Sequence, residues 1–484
     1  MNTMDYFRQI CEIPRESGNE DGIRHYILSW AGKNGMEAFS DRAGNVIVRC
    51  PASAGYENVP YVALQGHMDM VCVKTDDSTH DFSKDPIEIC TDGEWITAKD
   101  TSLGADNGIA IAMAMALFTD KNVKHGPLEA IFTCSEETDM TGAFNLEVAD
   151  IKSRRMINLD SEEDGIIYTG CAGGLKICGG TRTVLEKVPE SWEPVEIKIS
   201  GLKGGHSGSE IHRQRMNAIN ALARMLISVK KAGFGFRLAS FDGGTRSNVI
   251  PSSASCVICI LSDVKKKIMH GILAEGENLK REYAVQEPDF TVEHHCSHCN
   301  PELSRPEYAV NPEDSGRLVN ALFSLYHGVY SMSCVLDGIV ETSVNLATAS
   351  LKNGFFRTEL FVRSFHESAK KMLCCKEETI LSAFGFETSE YSDFPSWAPD
   401  SDSELARFCV QTWKDRFGKE PAVTAIHAGL ECGVINSRIE GMDSISIGPD
   451  LQNVHSVNER VNTTSVERIY GFLCTLLEQL AKKE

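Results

Sequence analysis

The sequence predicts an α/β protein built as one discontinuous domain, mixed sheet flanked by helices, with an α+β domain inserted into it. Three observations carry this. Apolar runs and helix-like segments alternate over the first 185 residues, the middle of the chain changes to alternating strand patterns, and the earlier style returns after about residue 391. The expected divisions are 1–185 and 391–484 for the discontinuous domain and 186–390 for the insertion. A chain of 484 residues exceeds what one compact core accommodates, in keeping with more than one domain.

In the first part, residues 61–65, 128–134 and 156–159 read as buried strands, and residues 109–118, rich in Ala, Met and Ile, read as a helix buried all round. The middle opens with an alternating strand near residue 195 and a helix from Asn217. A related order recurs about 100 residues later: Asn220-Ala-Leu-Ala-Arg-Met-Leu226 resembles Asn320-Ala-Leu-Phe-Ser-Leu325, and Thr245-Arg-Ser-Asn-Val249 resembles Thr342-Ser-Val-Asn-Leu346, as an internal duplication into two ferredoxin-like halves would leave. After the turn-rich residues 392–400, a helix from Ser403 to Phe417 and a strand from Asp443 resume the first style.

Composition narrows the function classes. The apolar share of 42% and charged share of 24% are those of a folded soluble protein. A formal charge of −20 repels nucleic acid and anionic membrane surfaces. No segment reaches the roughly 18 apolar residues that span a bilayer, and the N-terminus lacks a signal-peptide pattern, so a cytoplasmic protein is expected. Seventeen cysteines without regular spacing read as reduced, mostly buried thiols.

Chemistry-bearing residues gather just after the strand candidates: His67 and Asp69, Glu136 and Glu137, Asp160, and finally His455. In α/β sheets, functional groups collect beyond the carboxyl ends of strands, so residues distant in sequence meet on one edge. Asp106 sits instead in Ser102-Leu-Gly-Ala-Asp-Asn-Gly108, ahead of the Ala-rich helix, where a helix cap is the ordinary reading. Taken singly, a strand-end His or Glu is usually a hydrogen-bonded loop residue; their succession in one domain is what points to a site. Two divalent ions about 3.5–4 Å apart need a bridging carboxylate, further His or carboxylate ligands and a nearby base, and this set supplies those types. Asp69, two residues from His67 on an extended segment, suits the carboxylate that fixes an imidazole tautomer. The adjacent Glu136 and Glu137 point apart if extended, one towards metal and one towards substrate.

With these motifs the chain resembles the dizinc aminoacylase, carboxypeptidase and dipeptidase metallopeptidases, and within them the aminoacyl-histidine (Xaa-His) or cytosol non-specific dipeptidase group. The carriers are Ile13-Pro-Arg-Glu-Ser-Gly-Asn-Glu20, Gln65-Gly-His-Met-Asp-Met-Val71, Leu103-Gly-Ala-Asp-Asn-Gly108, Ser135-Glu-Glu-Thr138, Asn158-Leu-Asp160, Lys203-Gly-Gly-His-Ser-Gly208 and Asn453-Val-His-Ser456, spread over nearly the whole chain. The resemblance implies a catalytic domain with an inserted lid. It also implies two zinc ions, exchangeable for manganese or cobalt, with Asp106 bridging, His67 and Asp160 completing one site and Glu137 and His455 the other. Glu136 is then the base that takes a proton from the attacking water and returns it to the leaving amine. In the lid, His206 is implied as an oxyanion donor, and Asn248 and Arg363 as groups that hold the substrate's backbone or carboxylate. The segment Ile426-His-Ala-Gly-Leu-Glu-Cys-Gly433, which offers His427 and Glu431, is implied in the substrate pocket, without metal.

The expected function is hydrolysis of unblocked dipeptides, Xaa-His and β-alanyl-histidine types included. The same centre also serves N-acyl-amino-acid deacylases and tripeptidases, and a metal-stabilised binding protein needs the ligands without Glu136. Family members that lack a duplicated lid commonly pair, so a homodimer and a single chain are both open. The cluster Glu293-His-His-Cys-Ser-His-Cys299 reads as a loop with adventitious metal affinity, because it lacks a second ligand pair. Neither a Gly-x-Ser-x-Gly elbow nor a phosphate-binding loop is present.

Overall fold

The computed structural model describes residues 1–296 and 304–482. The chain forms two compact units, Met1–Cys171 with Trp397–Glu484, and Ala172–Ser396.

The first stretch contributes helices α1 (Thr3–Cys11), α2 (Asp21–Lys33) and α3 (Ala105–Thr119), the single turns α4 (Glu136–Asp139) and α5 (Thr141–Phe144), and strands β1 (Glu37–Ser40), β2 (Val46–Cys50), β3 (Val62–His67), β4 (Ile89–Asp92), β5 (Trp95–Ala98), β6 (Leu128–Thr133), β7 (Arg155–Asn158) and β8 (Ile166–Cys171). The inserted stretch follows with β9 (Gly173–Arg182), β10 (Leu185–Lys187), β11 (Trp192–Ser200), α6 (Ala218–Lys231), β12 (Arg237–Gly243), β13 (Ala254–Leu261), α7 (Lys265–Glu282), β14 (Thr291–Cys296), β15 (Tyr308–Val310), α8 (Pro312–Ser324), β16 (Gly328–Met332), β17 (Val340–Lys352), β18 (Phe355–Ser364), α9 (Glu367–Ala383) and β19 (Glu387–Phe394). The last stretch adds α10 (Glu404–Phe417), β20 (Ala422–Ile426), α11 (Glu431–Arg438), β21 (Asp443–Ser446), β22 (Leu451–Gln452), β23 (Arg460–Asn462) and α12 (Thr463–Lys482).

The discontinuous unit is built on an eight-stranded mixed sheet in the order β1-β2-β6-β3-β7-β21-β8-β20. Its inner strands β3 and β6 are buried along their whole length, as expected of parallel strands covered on both faces. Helix α3 follows from composition: good helix formers, apolar on every side, with every residue from Asn107 to Phe118 buried. It shares one core with Phe7 and Ile10 of α1 and with Phe472, Leu473 and Leu476 of α12. Each such fully buried side chain contributes about 1.5–3 kcal/mol relative to exposure. Ser403 caps α10, its hydroxyl accepting from the Ala406 N–H at 2.9 Å.

The inserted unit carries a nine-stranded antiparallel sheet, β14-β11-β13-β12-β17-β18-β9-β19, with β16 added beside β17. Two runs share one connection order of strand, helix, strand, strand, helix, strand. One is β11-α6-β12-β13-α7-β14; the other, interrupted after its first strand by the former, is β9-α8-β17-β18-α9-β19. Asn220 lies on α6 and Asn320 on α8. The second pair of similar segments differs in structure, since Asn345 lies within β17 whereas Asn248 occupies an exposed turn between β12 and β13.

The units divide after Cys171 and Ser396, where the sequence pattern places the divisions after residues 185 and 390. The difference at the first division is β9, which pairs with β18 and β19 and so belongs to the inserted sheet. None of the described cysteines forms a disulfide. No helix among the described residues is long and apolar enough to cross a membrane.

Candidate metal centre and active site

Strands β3, β6 and β7 run parallel, with His67 beside Thr133 and Gln65 beside Asn158, and β21 runs parallel to β7 with Ser446 beside Asn158. Their carboxyl ends therefore stop at one edge, and the loops beyond deliver Asp69, Glu136, Glu137, Asp160 and His455 there. Asp106 arrives from the start of α3, where it and Asn107 depart from helical dihedral angles and their peptide bond is cis. Asn107 fastens this start to the strand ends. Its Oδ1 accepts from the His67 N–H at 3.2 Å, and its Nδ2 donates to the Leu159 carbonyl at 3.0 Å.

The geometry forms two triads sharing Asp106. His67 Nε2 lies 3.1 Å from Asp106 Oδ1 and 3.3 Å from Asp160 Oδ1. His455 Nε2 lies 3.1 Å from Asp106 Oδ2 and 3.0 Å from Glu137 Oε1. Each imidazole nitrogen thus faces two carboxylate oxygens but carries at most one proton, so one oxygen of each pair is left without a donor. Asp160 Oδ1 is such an atom, buried and without a hydrogen bond. A divalent cation in each triad satisfies every one of these atoms, and ligand atoms of His67, Asp106 and Glu137 all lie within 4.8 Å of one another. The donor set fits two such ions.

His67 is oriented by Asp69. Its Nδ1 donates to the Asp69 carbonyl at 3.2 Å, with Asp69 Oδ1 at 3.4 Å, which leaves the Nε2 lone pair directed at Asp106 and Asp160. The Asp69 carboxylate does more than the sequence pattern implied: it accepts from Ser17 Oγ at 2.7 Å, from the Glu136 N–H at 3.0 Å and from the Glu137 N–H at 3.1 Å. One buried side chain therefore fixes both the histidine and the backbone of the two glutamates. Those glutamates are not extended. They open the helical turn α4 behind Ser135, whose φ of 53° turns the chain sharply, and the rotation between successive helical residues is what separates their side chains.

Electrostatics distinguish the carboxylates. Burial pushes the Glu136 carboxyl well above the usual range, and the charges of Asp160, Glu137 and Glu431 add to this against His67. Such a group holds a proton more readily than an ordinary carboxylate, as a proton-transfer group must. Burial also lifts Asp160 to about 6 against the pull of His67. Asp106 is displaced the other way, its burial outweighed by His455 and His67. Burial alone would lower His455, but Asp106 and Glu137 raise it to about 11. A pocket whose surplus carboxylates raise its histidines is one that attracts further positive charge.

The structure gives roles to several residues of the site that the sequence pattern left without one. Glu431, at the start of α11, is fully buried and accepts from Thr133 Oγ1 at 2.6 Å and from Gln65 Nε2 at 2.5 Å, tying the ends of β3 and β6 together. Burial raises it to about 7. Glu20 accepts from the Ser135 N–H at 3.0 Å, just ahead of Glu136. Gln65, Ser17, Glu20 and Glu431 lie inside motifs already singled out, so a signal for them existed; Thr133 had none beyond its place at the end of a strand candidate.

The remaining candidates are placed elsewhere. His427 is buried just after β20 in the discontinuous unit. His206, Asn248 and Arg363 belong to the inserted unit. His206 Nδ1 accepts from the N–H groups of Gly208 at 3.3 Å and Ser209 at 3.1 Å, which puts the ring proton of the neutral form on Nε2. The Asn248 carbonyl accepts from the Ser207 N–H at 2.8 Å and steadies that loop. Arg363 is 4% exposed, stacks on Phe361 at 4.1 Å, and its Nε has no hydrogen-bond partner among the described residues. In the His and Cys cluster, residues 293–296 lie in β14, an edge strand rather than a loop, because they pair in register with β11; residues 297–299 lie outside the described residues.

Residues 63–479 match the model of peptidase family M20/M25/M40. The chain belongs to that family. Among the relatives of this peptidase is the cytosol non-specific dipeptidase of Escherichia coli (strain K12), 36% identical over 479 residues that cover 99% of this chain and 97% of the relative. The crystal structure of aminoacylhistidine dipeptidase from Vibrio alginolyticus matches with a TM-score of 0.88 at 34% identity, covering 99% of this peptidase and 96% of that chain. Aminopeptidase PepT from Bacillus cereus shares the fold, with a TM-score of 0.57 at 14% identity over 99% of this peptidase and 98% of that chain.

Proposed function

We propose that the protein is a dipeptidase that hydrolyses unblocked dipeptides, Xaa-His and β-alanyl-histidine types among them, with two zinc ions held by His67, Asp160, Glu137, His455 and a shared Asp106. The observation that carries the reading is the pair of imidazole nitrogens, each facing two carboxylate oxygens with Asp106 common to both. When bound, divalent ions supply Lewis acidity that lowers the pKa of water and polarises a carbonyl. Glu136, its carboxyl raised by burial, takes the proton of the attacking water and passes it to the leaving amine. Asp69 keeps Glu136 in place through the backbone and keeps His67 in the tautomer that presents Nε2. The chemistry of the donors accepts manganese or cobalt in place of zinc. Arg363, a buried guanidinium whose Nε is unpaired among the described residues, suits a carboxylate such as the C-terminus of a dipeptide.

The test joins metal analysis to turnover. Two equivalents of metal per chain are expected, with hydrolysis of β-alanyl-histidine and ordinary dipeptides that a chelator abolishes. Cleavage of N-acylated amino acids or tripeptides in preference would make the protein a deacylase or tripeptidase, and two bound metals without hydrolysis would make it a binding protein. Glu136→Gln should keep both metals and lose about 10²–10⁴-fold in kcat. Near-normal turnover in that variant would refute its role as base.

A further inference from the structure

Two buried residues of opposite charge hold the backbone that presents Asp106, without pairing with each other. Arg15 is 2% exposed. Its Nη1 donates to the carbonyls of Met68 at 3.1 Å and Asp69 at 2.9 Å, and its Nη2 donates to the carbonyl of Gly104. Glu459 is 3% exposed and takes the opposite poles of the same segment. Its Oε2 accepts from the N–H groups of Leu103 at 2.8 Å and Gly104 at 2.9 Å, and its Oε1 accepts from the N–H of Asp106 at 3.2 Å. Gly104 is gripped on both sides. Its φ is +70°, and a Cβ there would collide with Arg15 Nη2 and stand 2.7 Å from Met70 Sδ.

A purely structural role does not account for this arrangement. A buried charge without a counter-ion is costly, and an apolar filler of the same volume usually serves packing better. Here the charges fix peptide dipoles in two segments at once, the loop after His67 and the approach to Asp106, and Glu459 ties the second to the loop that also carries His455. We propose that Arg15 and Glu459 are positioning residues that set the two carboxylate oxygens of Asp106 for sharing between two divalent ions. Holding a ligand through its own backbone fixes the direction of its oxygens without occupying them, which side-chain hydrogen bonds to the carboxylate would do.

The inference rests on the proposed two-metal site, and the experiment separates the two. Metal-free protein is titrated with Co²⁺ and Zn²⁺ by calorimetry, and the visible absorption of the cobalt form is recorded. Glu459→Gln leaves fewer acceptors for three N–H groups and should weaken at least one of the two equivalents by about 10–100-fold, with an altered cobalt spectrum. Glu459→Asp, which keeps the charge, should recover part of the affinity. Arg15→Lys should act in the same direction, and it decides the matter if Glu459→Gln fails to fold. Both equivalents binding within about threefold of the parent, with an unchanged cobalt spectrum, would overturn the positioning role. Two tight equivalents in Asp106→Ala would overturn the metal site itself.

Discussion

Asp69→Asn alters one charge and one acceptor at a residue that is completely buried. Burial would raise the Asp69 carboxyl; the hydrogen bond and charge of His67, with Ser17 and the Glu136 N–H, outweigh it and hold the group at about 2 against an ordinary 3.8. That displacement corresponds to about 2 kcal/mol in favour of the charged form. Because the folded value lies below the unfolded one, this stabilisation is fully present above about pH 4 and is lost as pH falls through about 2. The asparagine amide must also turn its NH₂ towards a site where N–H donors already point, so one buried donor loses its acceptor, at a further cost of about 1–3 kcal/mol. Urea unfolding of the metal-free variant at pH 7, followed by circular dichroism, should therefore show a loss of about 3–5 kcal/mol. In the metal-loaded variant kcat should fall by about 10–100-fold, because the backbone of Glu136 loses its anchor and the charge beside His67 Nδ1 is removed. A stability change below about 1 kcal/mol together with kcat within threefold of the parent would refute the reasoning.

Two other perturbations probe the inserted unit and the packing of α3 on β3. Glu377 is fully buried in the inserted unit, its Oε1 lacks a partner among the described residues, and burial raises it to about 7 against the Tyr326 N–H and Lys376. Its folded value lies above the unfolded one, so stability falls as pH rises from about 4.5 to 7. Glu377→Gln should then melt higher than the parent at pH 8, by the equivalent of about 3 kcal/mol, and level with it at about pH 4.5; an equal difference at both pH values would contradict the titration. Gly66→Ala would drive a Cβ into Asn107 Oδ1 and place it 2.7 Å from Ala110 Cβ. It should push α3 from β3 and cost about 1–3 kcal/mol or more in thermal unfolding, with weakened metal retention, whereas a normal melting temperature would show that the helix start moves freely.

Much of the discontinuous unit was legible because its signals are local. Parallel strands buried on both faces appear as unbroken apolar runs, and an all-apolar Ala-rich segment announces α3. The ligand types stood where such strands stop. Other features depend on contacts that sequence spacing does not display. Strand β9 begins Gly173-Gly-Leu, a poor strand signal, yet Gly174 faces Phe394 so closely that a Cβ would strike its ring, and a Cβ on Gly180 would likewise meet Phe355 at 2.8 Å. Glycine is what lets the aromatic rings cover the sheet. The turn at Ser135 hid the helical course of Glu136 and Glu137, since a positive φ outside glycine has no sequence signature. Arg15 and Glu459 act on Gly104 from 89 and 355 residues away, a relation only the folded chain reveals.

The position of β21 has a consequence for how the molecule is made. This strand, from the last stretch of chain, fills an inner slot of the eight-stranded sheet between β7 and β8. A growing chain that ends before Asp443 holds the inserted unit complete and contiguous, while the older half of its host still has a gap where four residues must enter. Those residues also bring His455 behind them. Synthesis of the sheet's last inner strand and of the fifth proposed ligand is thus nearly one event, and a chain cut short before it has neither a sealed sheet nor the full set of proposed metal ligands.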